Sequence, residues 1–331
     1  MNERYSHRER LTAITQGETP DRYAGSIWRH FYHKEATTDG LVEAMLDFQK
    51  RYDWDFMKIN PRASYHVEDW GNKLDWSTSE LANHIKTELA VKSVADWDKI
   101  EVLPVTAPVL SEHLRAISLI KKASDPELPL MMTIFNPLGI ARNLVGSAGK
   151  LLAHLEQEPD QVKTALENIT ITFENYVREV RDAGADGIFY ATLEWASSDL
   201  LSYEQYADLC RDRDIRIIRA AGDDALNILH VCASNNYLRE LSDYPVPLVN
   251  WAAHDPTNVN LDDSFTFLGE KTAIAGLDGR GWLRHSRPGE IAHEIARIKE
   301  RMTGKRFIFG PGCTVDPRIP PENLDAVRKK L

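Results

Sequence analysis

The sequence has few cysteines, fewer cations than anions and no long apolar run. Three cysteines in 331 residues are too few for the disulfide framework of a small secreted protein. The formal net charge of −10 argues against a nucleic-acid partner, because binding to phosphate backbones depends on lysine and arginine. No stretch reaches the roughly 20 apolar residues that a bilayer span needs, and the first residues show no signal-peptide pattern. These absences predict a cytoplasmic protein with no membrane segment.

Glycine and proline divide the chain into short apolar runs and longer helical patterns, which alternate over most of its length. This alternation is typical of a parallel α/β fold. We place strands at residues 25–31, 55–60, 129–136, 187–193, 225–231, 247–252, 272–277 and 306–310. Eight strands with helices between them fit a (β/α)8 TIM barrel, whose chemistry lies at the carboxyl ends of the strands. A doubly wound open sheet is the alternative, but no Gly-x-Gly-x-x-Gly follows any strand.

Residues outside the barrel pattern form an N-terminal helical extension and one insertion. Residues 63–76 alternate around a central Trp-Gly-Asn, which predicts a hairpin after strand two that covers the barrel mouth. A helix at 202–221 begins with Ser202 and Gln205 at capping-box spacing. Since there is no linker or solenoid repeat, we expect one domain over residues 1–331.

The main chemical signal is a His-x-Cys pair at the end of strand five. His230 and Cys232 are two residues apart and therefore face the same side of a strand, and Cys313 follows strand eight. An imidazole and two thiolates are ligands that suit zinc. Glu194, just after strand four, is the predicted fourth ligand. A zinc ion with one replaceable position would activate a thiol.

Polar residues also follow other predicted strands and suit an anionic small molecule. Arg29 and Arg62 are predicted to contact a carboxylate or sulfonate, because the guanidinium fork binds such groups with two hydrogen bonds. Other candidate catalytic or substrate-binding residues at strand ends are Asn60, His30, Asn136, Asp278 and Arg280. The alternative for each is an ordinary polar loop residue. Likewise, a cysteine is often only a buried packing residue, which is what we expect of Cys210.

Three stretches of the sequence resemble the uroporphyrinogen decarboxylase superfamily. They are SHRERLTAITQGETPDR near the start, GADG at 184–187, and GPGC at 310–313 with PPEN at 320–323. The resemblance covers nearly the whole chain and implies a (β/α)8 barrel. In one branch, zinc-dependent enzymes move a methyl group between a corrinoid protein and a thiol such as coenzyme M. His230, Cys232 and Cys313 match the zinc ligands of that branch in order.

The metal-free decarboxylase branch is a weaker match. Its Arg-Gln-Ala-Gly-Arg motif is replaced here by WRHFY at 28–32, and its aspartate after strand two is replaced by Asn60. A neutral amide lacks the charge that an aspartate offers to pyrrole N–H donors. The chain also lacks the Asp-x-His-x-x-Gly of corrinoid-binding domains. The resemblance therefore implies a corrinoid (cobalamin) that arrives on a partner protein or as a free molecule.

These observations leave three functions open. The leading hypothesis is a zinc-dependent methyltransferase that acts between a corrinoid and a thiol or similar acceptor. The second is a metal-free decarboxylase or lyase that uses Arg29 and Arg62 for substrate carboxylates. The third is a barrel that binds a corrinoid or a corrinoid protein without chemistry, with a structural metal. The methyl donor and acceptor, and whether the chain forms a homodimer, stay open.

Overall fold

The computed structural model describes residues 5–331, and its centre is a curled parallel sheet. In this part of the chain the strands are β1 (Met57–Ile59), β2 (Lys73–Asp75), β3 (Ile85–Glu88), β4 (Leu130–Phe135), β5 (Gly187–Ala191), β6 (Ile228–Val231), β7 (Leu248–Trp251), β8 (Thr272–Leu277) and β9 (Phe307–Pro311). Seven of them pair in parallel in the order β1-β4-β5-β6-β7-β8-β9. These strands are almost wholly apolar because both faces of the sheet are covered.

The segment around Gly25 closes the sheet into a barrel. The Ser26 amide donates to the Phe309 carbonyl at 2.9 Å, and the Asp55 amide donates to the Gly25 carbonyl at 3.0 Å. The segment thus lies between β9 and the start of β1, and the predicted TIM barrel is confirmed. The prediction of a full strand at 25–31 is wrong. Pairing is a single bridge at Gly25, and the Trp28 carbonyl bonds instead to the amide of Val315.

Helices cover the outside of the barrel and one of its ends. They are α1 (His7–Gln16), α2 (Thr38–Tyr52), α3 (Tyr65–Glu68), α4 (Pro108–Ala123), α5 (Pro137–Val145), α6 (Ala148–Gln157), α7 (Pro159–Asp182), α8 (Tyr203–Tyr206), α9 (Asp212–Arg219), α10 (Leu261–Ser264), α11 (Trp282–His285), α12 (Pro288–Arg301) and α13 (Pro321–Lys330). A 3₁₀ turn covers Val94–Lys99. Within residues 5–331, none of the helices has the length and apolar character needed to cross a bilayer.

The predicted helix at 202–221 forms in three parts. Its capping box is confirmed, because the Ser202 hydroxyl accepts from the Gln205 amide and the Gln205 side chain accepts from the Ser202 amide. After α8 the chain makes a π-helical turn over Ala207–Arg211 before α9 begins. Cys210 lies in this turn, fully buried, where its sulfur accepts a hydrogen bond from the Asn136 amide group at 3.7 Å.

The inserted hairpin exists, but its predicted boundaries are wrong. The two antiparallel strands are β2 and β3, so the hairpin covers residues 73–88 and not 63–76. The Trp-Gly-Asn turn ends α3: Gly71 has φ of +114°, and its amide donates to the Glu68 carbonyl. A glycine with positive φ just after a helix is a common C-terminal stop. Most of the predicted range 63–76 therefore belongs to a helix and the turn that ends it, and only its last residues, in β2, belong to the hairpin.

The hairpin lies over the carboxyl ends of the strands. Lys86 of β3 donates to the side-chain oxygen of Asn143 in α5 at 2.6 Å. Glu80 pairs with Arg29 at 2.6 Å, and the Trp76 ring lies 5.2 Å from the Arg62 guanidinium. The insertion therefore covers part of the barrel mouth, as predicted.

The opposite end of the barrel is closed by the N-terminal extension. Leu11 and Ile14 of α1 pack into the barrel interior. The inward-facing apolar side chains that they join include Met131, Phe189, Ile228, Leu248, Ile274 and Ile308. Burial of this cluster leaves only the carboxyl-terminal mouth open to ligands.

A buried ionic network fixes the extension to the barrel at Asp55. The Asp55 carboxylate accepts hydrogen bonds from Arg10 at 2.7 Å, from Arg22 at 2.8 Å and from the Gly25 amide at 2.8 Å. It also contacts His7 at 3.2 Å. Although burial opposes ionisation, the hydrogen bonds from His7 and Arg22 hold the pKa of Asp55 below its usual value. The network joins α1, the closing segment and the start of β1.

We expect Asp55→Asn to lower the free energy of unfolding by about 3–5 kcal/mol, because it removes the buried negative charge that Arg10, Arg22 and His7 share. Asp53→Asn is the matched control, since Asp53 is half-exposed and forms ion pairs with His7 and Arg328. Exposed ion pairs contribute about 1 kcal/mol or less. Urea unfolding measures both variants, and equal losses would contradict this account of the network.

Candidate metal centre

Three side chains from two distant strands meet at the barrel mouth. His230 lies in β6, and Cys232 is the first residue after that strand. Cys313 comes two residues after the end of β9. Their ligand atoms all lie within 4.8 Å of one another, and no other such group of three occurs in residues 5–331. The two sulfurs are 3.9 Å apart. Two thiolates bound tetrahedrally at the usual Zn–S distance would be separated by about 3.8 Å, so the spacing fits a shared zinc ion.

The two cysteines are free and lie close enough for a hydrogen bond between their sulfurs. A separation of 3.9 Å is far longer than the roughly 2 Å of a disulfide. The hydrogen bond from Cys232 lowers the pKa of Cys313 well below the ordinary value, against the effect of burial. The same bond and burial raise the pKa of Cys232. A divalent cation that bound both sulfurs would displace the protons that they carry.

Asn250 fixes the orientation and the tautomer of His230. Its side-chain nitrogen donates both hydrogens, to the carbonyls of Ile274 at 2.8 Å and Pro311 at 3.0 Å. Its oxygen must then face His230 Nδ1, which lies 2.6 Å away. Nδ1 carries the proton for this bond, so Nε2 keeps its lone pair for a metal. This pairing of a ligand imidazole with a hydrogen-bond acceptor is usual at protein zinc sites.

The backbone around the cysteines is tightly constrained. Ala233, directly after Cys232, has φ of +69°, which a residue with a Cβ rarely adopts. Directly before Cys313, a Cβ on Gly312 would lie 2.7 Å from the Ala252 Cα. Only glycine lets these two loops approach so closely. Strained backbone of this kind tends to occur at functional sites.

A cavity of about 260 Å³ opens beside the two cysteines. Charged side chains of both signs line it. Its lining includes Cys232, Cys313, His254, Asp255, Asp278 and Arg280. The Asp278 carboxylate accepts hydrogen bonds from the amides of Arg280 and Gly281, which shapes this wall. The structure thus brings the predicted residues Asp278 and Arg280 to the same cavity as Cys232 and Cys313.

Glu194, the predicted fourth ligand, is not part of the ligand group. Its carboxylate forms an ion pair with Arg142 at 3.1 Å and is partly exposed. The left-handed backbone of Leu193, with φ of +53°, redirects the chain just before Glu194. The geometry therefore brings together three candidate ligands. Coordination by Glu194 as a fourth ligand stays a prediction.

Arg29, His30 and Arg62 do not line the cavity beside the cysteines. The Arg62 guanidinium is buried and donates to Glu68 and Glu112 at 2.7–3.0 Å. Arg29 pairs with Glu80 and packs on Phe31. His30 contacts the buried carboxylate of Glu35 at 3.0 Å. Each of these predicted substrate contacts already has partners within the protein.

Asn60 and Asn136 are both buried. Asn136 is the N-cap of α5, where its oxygen accepts from the Gly139 amide at 2.9 Å. The Asn60 oxygen accepts a hydrogen bond from Lys58 Nζ. The structure gives Asn136 a role in helix capping and places Asn60 beside a buried lysine inside the barrel.

Sequence reasoning missed Asn250 and Lys58. Both lie in apolar strands, in the stretches LVNW and MKI, and both side chains are almost fully buried. A single polar residue in a strand that is buried on both faces must find a partner inside the barrel. That pattern was the available signal for both residues.

We expect Asn250→Ala to weaken zinc binding by about 10–100-fold, the usual effect of losing a hydrogen-bond partner of a ligand histidine. Competition with a chromophoric chelator measures the affinity. Asn136→Ala is the control: loss of the cap should cost about 1 kcal/mol of stability and leave zinc affinity unchanged. Equal zinc affinities in the two variants would contradict the role of Asn250.

Similar proteins are named as methyltransferases. Methylcobamide:CoM methyltransferase MtaA of Methanosarcina barkeri (strain Fusaro / DSM 804) is 24% identical over 214 residues, which cover 65% of this chain and 61% of MtaA. MtbA of Methanosarcina acetivorans is 24% identical over 239 residues, which cover 71% of this chain and 67% of MtbA. The alignment thus spans about three fifths of the length of MtaA.

Comparisons with solved structures and with a family model cover nearly the whole chain. A methyltransferase from Methanosarcina mazei superposes with a TM-score of 0.82 at 18% identity, over 98% of both chains. A B12-independent methionine synthase from Shewanella sp. W3-18-1 gives a TM-score of 0.57 at 10% identity, over 93% of this chain and 96% of that chain. These superpositions show a shared fold. The model of the uroporphyrinogen decarboxylase (URO-D) family matches residues 15–330, and this chain belongs to that family.

Proposed function

We propose that this chain is a zinc-dependent methyltransferase that moves a methyl group between a corrinoid and a thiol. The observation that carries the proposal is the convergence of His230, Cys232 and Cys313 beside an open cavity. When bound there, zinc would lower the pKa of a thiol so that the sulfur is a thiolate, and thus a nucleophile, near neutral pH.

The ligand group favours a catalytic metal over a structural one. Structural zinc sites have four protein ligands, whereas catalytic sites have three and an exchangeable position. Because Glu194 pairs with Arg142, we propose three protein ligands and one position for a substrate, with Glu194 outside the ligand set. This supports an enzyme over a barrel that only binds its partner.

The cavity suits a small thiol with an anionic end. Its volume of about 260 Å³ is below the range typical of drug-sized ligands. Arg280 lies on its wall, is exposed, and forms no ion pair in the described part of the chain. A free guanidinium binds a carboxylate or sulfonate well. We therefore assign anion recognition to Arg280 and not to Arg29 or Arg62.

The corrinoid would reach this site from outside the chain. The relatives MtaA and MtbA are named methylcobamide:CoM methyltransferases, and the sequence has no corrinoid-binding motif of its own. Leu11 and Ile14 of α1 and the inward-facing side chains of the strands fill the barrel interior. A macrocycle can therefore approach only at the mouth. A corrinoid protein that docks there is the partner that we propose.

Methyl transfer accounts for the site better than decarboxylation does. A decarboxylase of the tetrapyrrole type needs arginines for carboxylates and an anion for pyrrole N–H groups. Arg62 is already held by Glu68 and Glu112. The oxygen of Asn60 is occupied by Lys58. Neither feature explains why three metal-ligating side chains converge.

Zinc analysis of single cysteine variants tests the ligand set. We expect about one zinc ion per wild-type chain, and loss of most of it in Cys232→Ser and Cys313→Ser, since a hydroxyl is a poor zinc ligand. Cys210→Ser is the matched control, because Cys210 is buried away from this group and should leave zinc content unchanged. Metal-free wild-type protein from zinc-supplemented cells would refute the proposal.

Replacement of Arg280 tests the substrate class. Arg280→Ala should weaken binding of 3-mercaptopropionate about tenfold, because a charge-assisted hydrogen bond contributes roughly 1.5 kcal/mol or more. Binding of uncharged 2-mercaptoethanol should stay within about twofold. Sulfur-to-cobalt absorption of the Co(II)-substituted protein reports both affinities. Equal losses for the two thiols would exclude a specific role of Arg280 in anion binding.

A further inference from the structure

Lys58 is a lysine inside the barrel that the proposed chemistry does not yet use. It lies in the middle of β1 and is 5% exposed. In the sheet it is paired with Met131 of β4, whose side chain belongs to the apolar interior. Lysine is almost never fully buried unless it is paired. A buried lysine that forms no ion pair at such a position is a candidate for a functional role.

The contacts of Lys58 are neutral. Its Nζ donates to the side-chain oxygen of Asn60 and lies 4.6 Å from the centre of the Phe189 ring. It forms no ion pair with a carboxylate in the described residues. The same Phe189 ring packs against His230, with 5.1 Å between the ring centres. Lys58 is thus one aromatic ring away from a candidate metal ligand.

Few charges act on Lys58 in this interior. Burial lowers its pKa from 10.5 to about 7, and the negative charges of Cys313 and Glu35 oppose the shift. Glu35 is itself held by His30 and by His84 of the hairpin. The amine therefore responds to the charge at the cysteines, and additional negative charge there favours its protonated form.

Thiol binding at the metal centre would add such a charge. Zinc held by two cysteine thiolates and a neutral histidine would have no net charge, so a third thiolate would make the centre anionic. An uncompensated charge in a buried site is costly. A cation inside the barrel would offset that cost.

We propose that Lys58 takes up one proton when a thiol binds as thiolate, so that the barrel interior gains no net charge. The S–H bond of the thiol breaks, its electron pair stays on sulfur, and a new N–H bond forms at Lys58 Nζ. No oxidant or other reactant is needed. Lys58 then balances the charge of the bound thiolate from within the barrel, without contacting the metal ligands. This inference rests on the proposed function.

Proton counting during thiol binding tests the inference. Zinc-loaded protein is titrated calorimetrically with 2-mercaptoethanol at pH 8, in buffers with different ionisation enthalpies. A group with a pKa of about 7 is then about nine-tenths neutral and able to accept a proton. We expect wild-type protein to release close to no protons per thiol bound. Lys58→Met should release close to one, with about tenfold weaker binding.

Two further variants separate charge from titration. Lys58→Arg keeps a permanent cation, so we expect thiol affinity near that of wild type but release of about one proton. Lys86→Met is the control: Lys86 is a lysine of the hairpin that contacts Asn143, and its proton count should match wild type. Zinc content and circular dichroism identify any variant that fails to fold. If Lys58→Met fails to fold, the proton count of Lys58→Arg tests the inference.

Different results would contradict the role of Lys58 and the proposed function. If the wild type binds thiol and releases a full proton, or if Lys58→Arg gives the wild-type count, Lys58 is not the acceptor although the metal centre can still be correct. If wild-type zinc protein binds no thiol at all, the proposed function fails and the inference fails with it.

Discussion

The hydrogen bond between His230 and Asn250 is the interaction on which the site depends. At 2.6 Å it determines which imidazole nitrogen is free to bind a metal. Asn250 also bonds to backbone carbonyls in β8 and β9, so the strand that leads to Cys313 is tied to the strand that carries His230. One buried amide thereby joins two ligands that are 83 positions apart in the sequence.

The rest of the barrel closes one end and leaves the three candidate ligands at the other, open end. The ionic network at Asp55 anchors α1 beneath the strands, and Leu11 and Ile14 fill the interior from that side. The hairpin at 73–88 covers part of the mouth through Lys86 and Trp76. Between these closures the cavity beside the cysteines remains open, so a ligand reaches the three candidate ligands from the mouth alone.

The barrel and the convergence of His230, Cys232 and Cys313 were predictable from sequence, because both follow from where strands lie and end. Residues two apart share a face of a strand, which placed His230 and Cys232 together. The hairpin boundaries were not predictable, because Gly71 serves a helix end as readily as a strand turn. Nor could strand periodicity show that Glu194 pairs with Arg142, or that Arg62 is already bound by two glutamates. Such pairings join residues far apart in sequence and depend on loop geometry.

The central claim is that the three side chains bind one zinc ion and leave a position for a thiol. X-ray absorption at the zinc edge of purified protein, recorded before and after addition of a thiol, measures this directly. The account predicts two sulfur ligands at about 2.3 Å with nitrogen or oxygen in the remaining positions, and three sulfur ligands after the addition. A sphere that starts with other than two sulfurs, or that does not change when the thiol is added, would contradict the account.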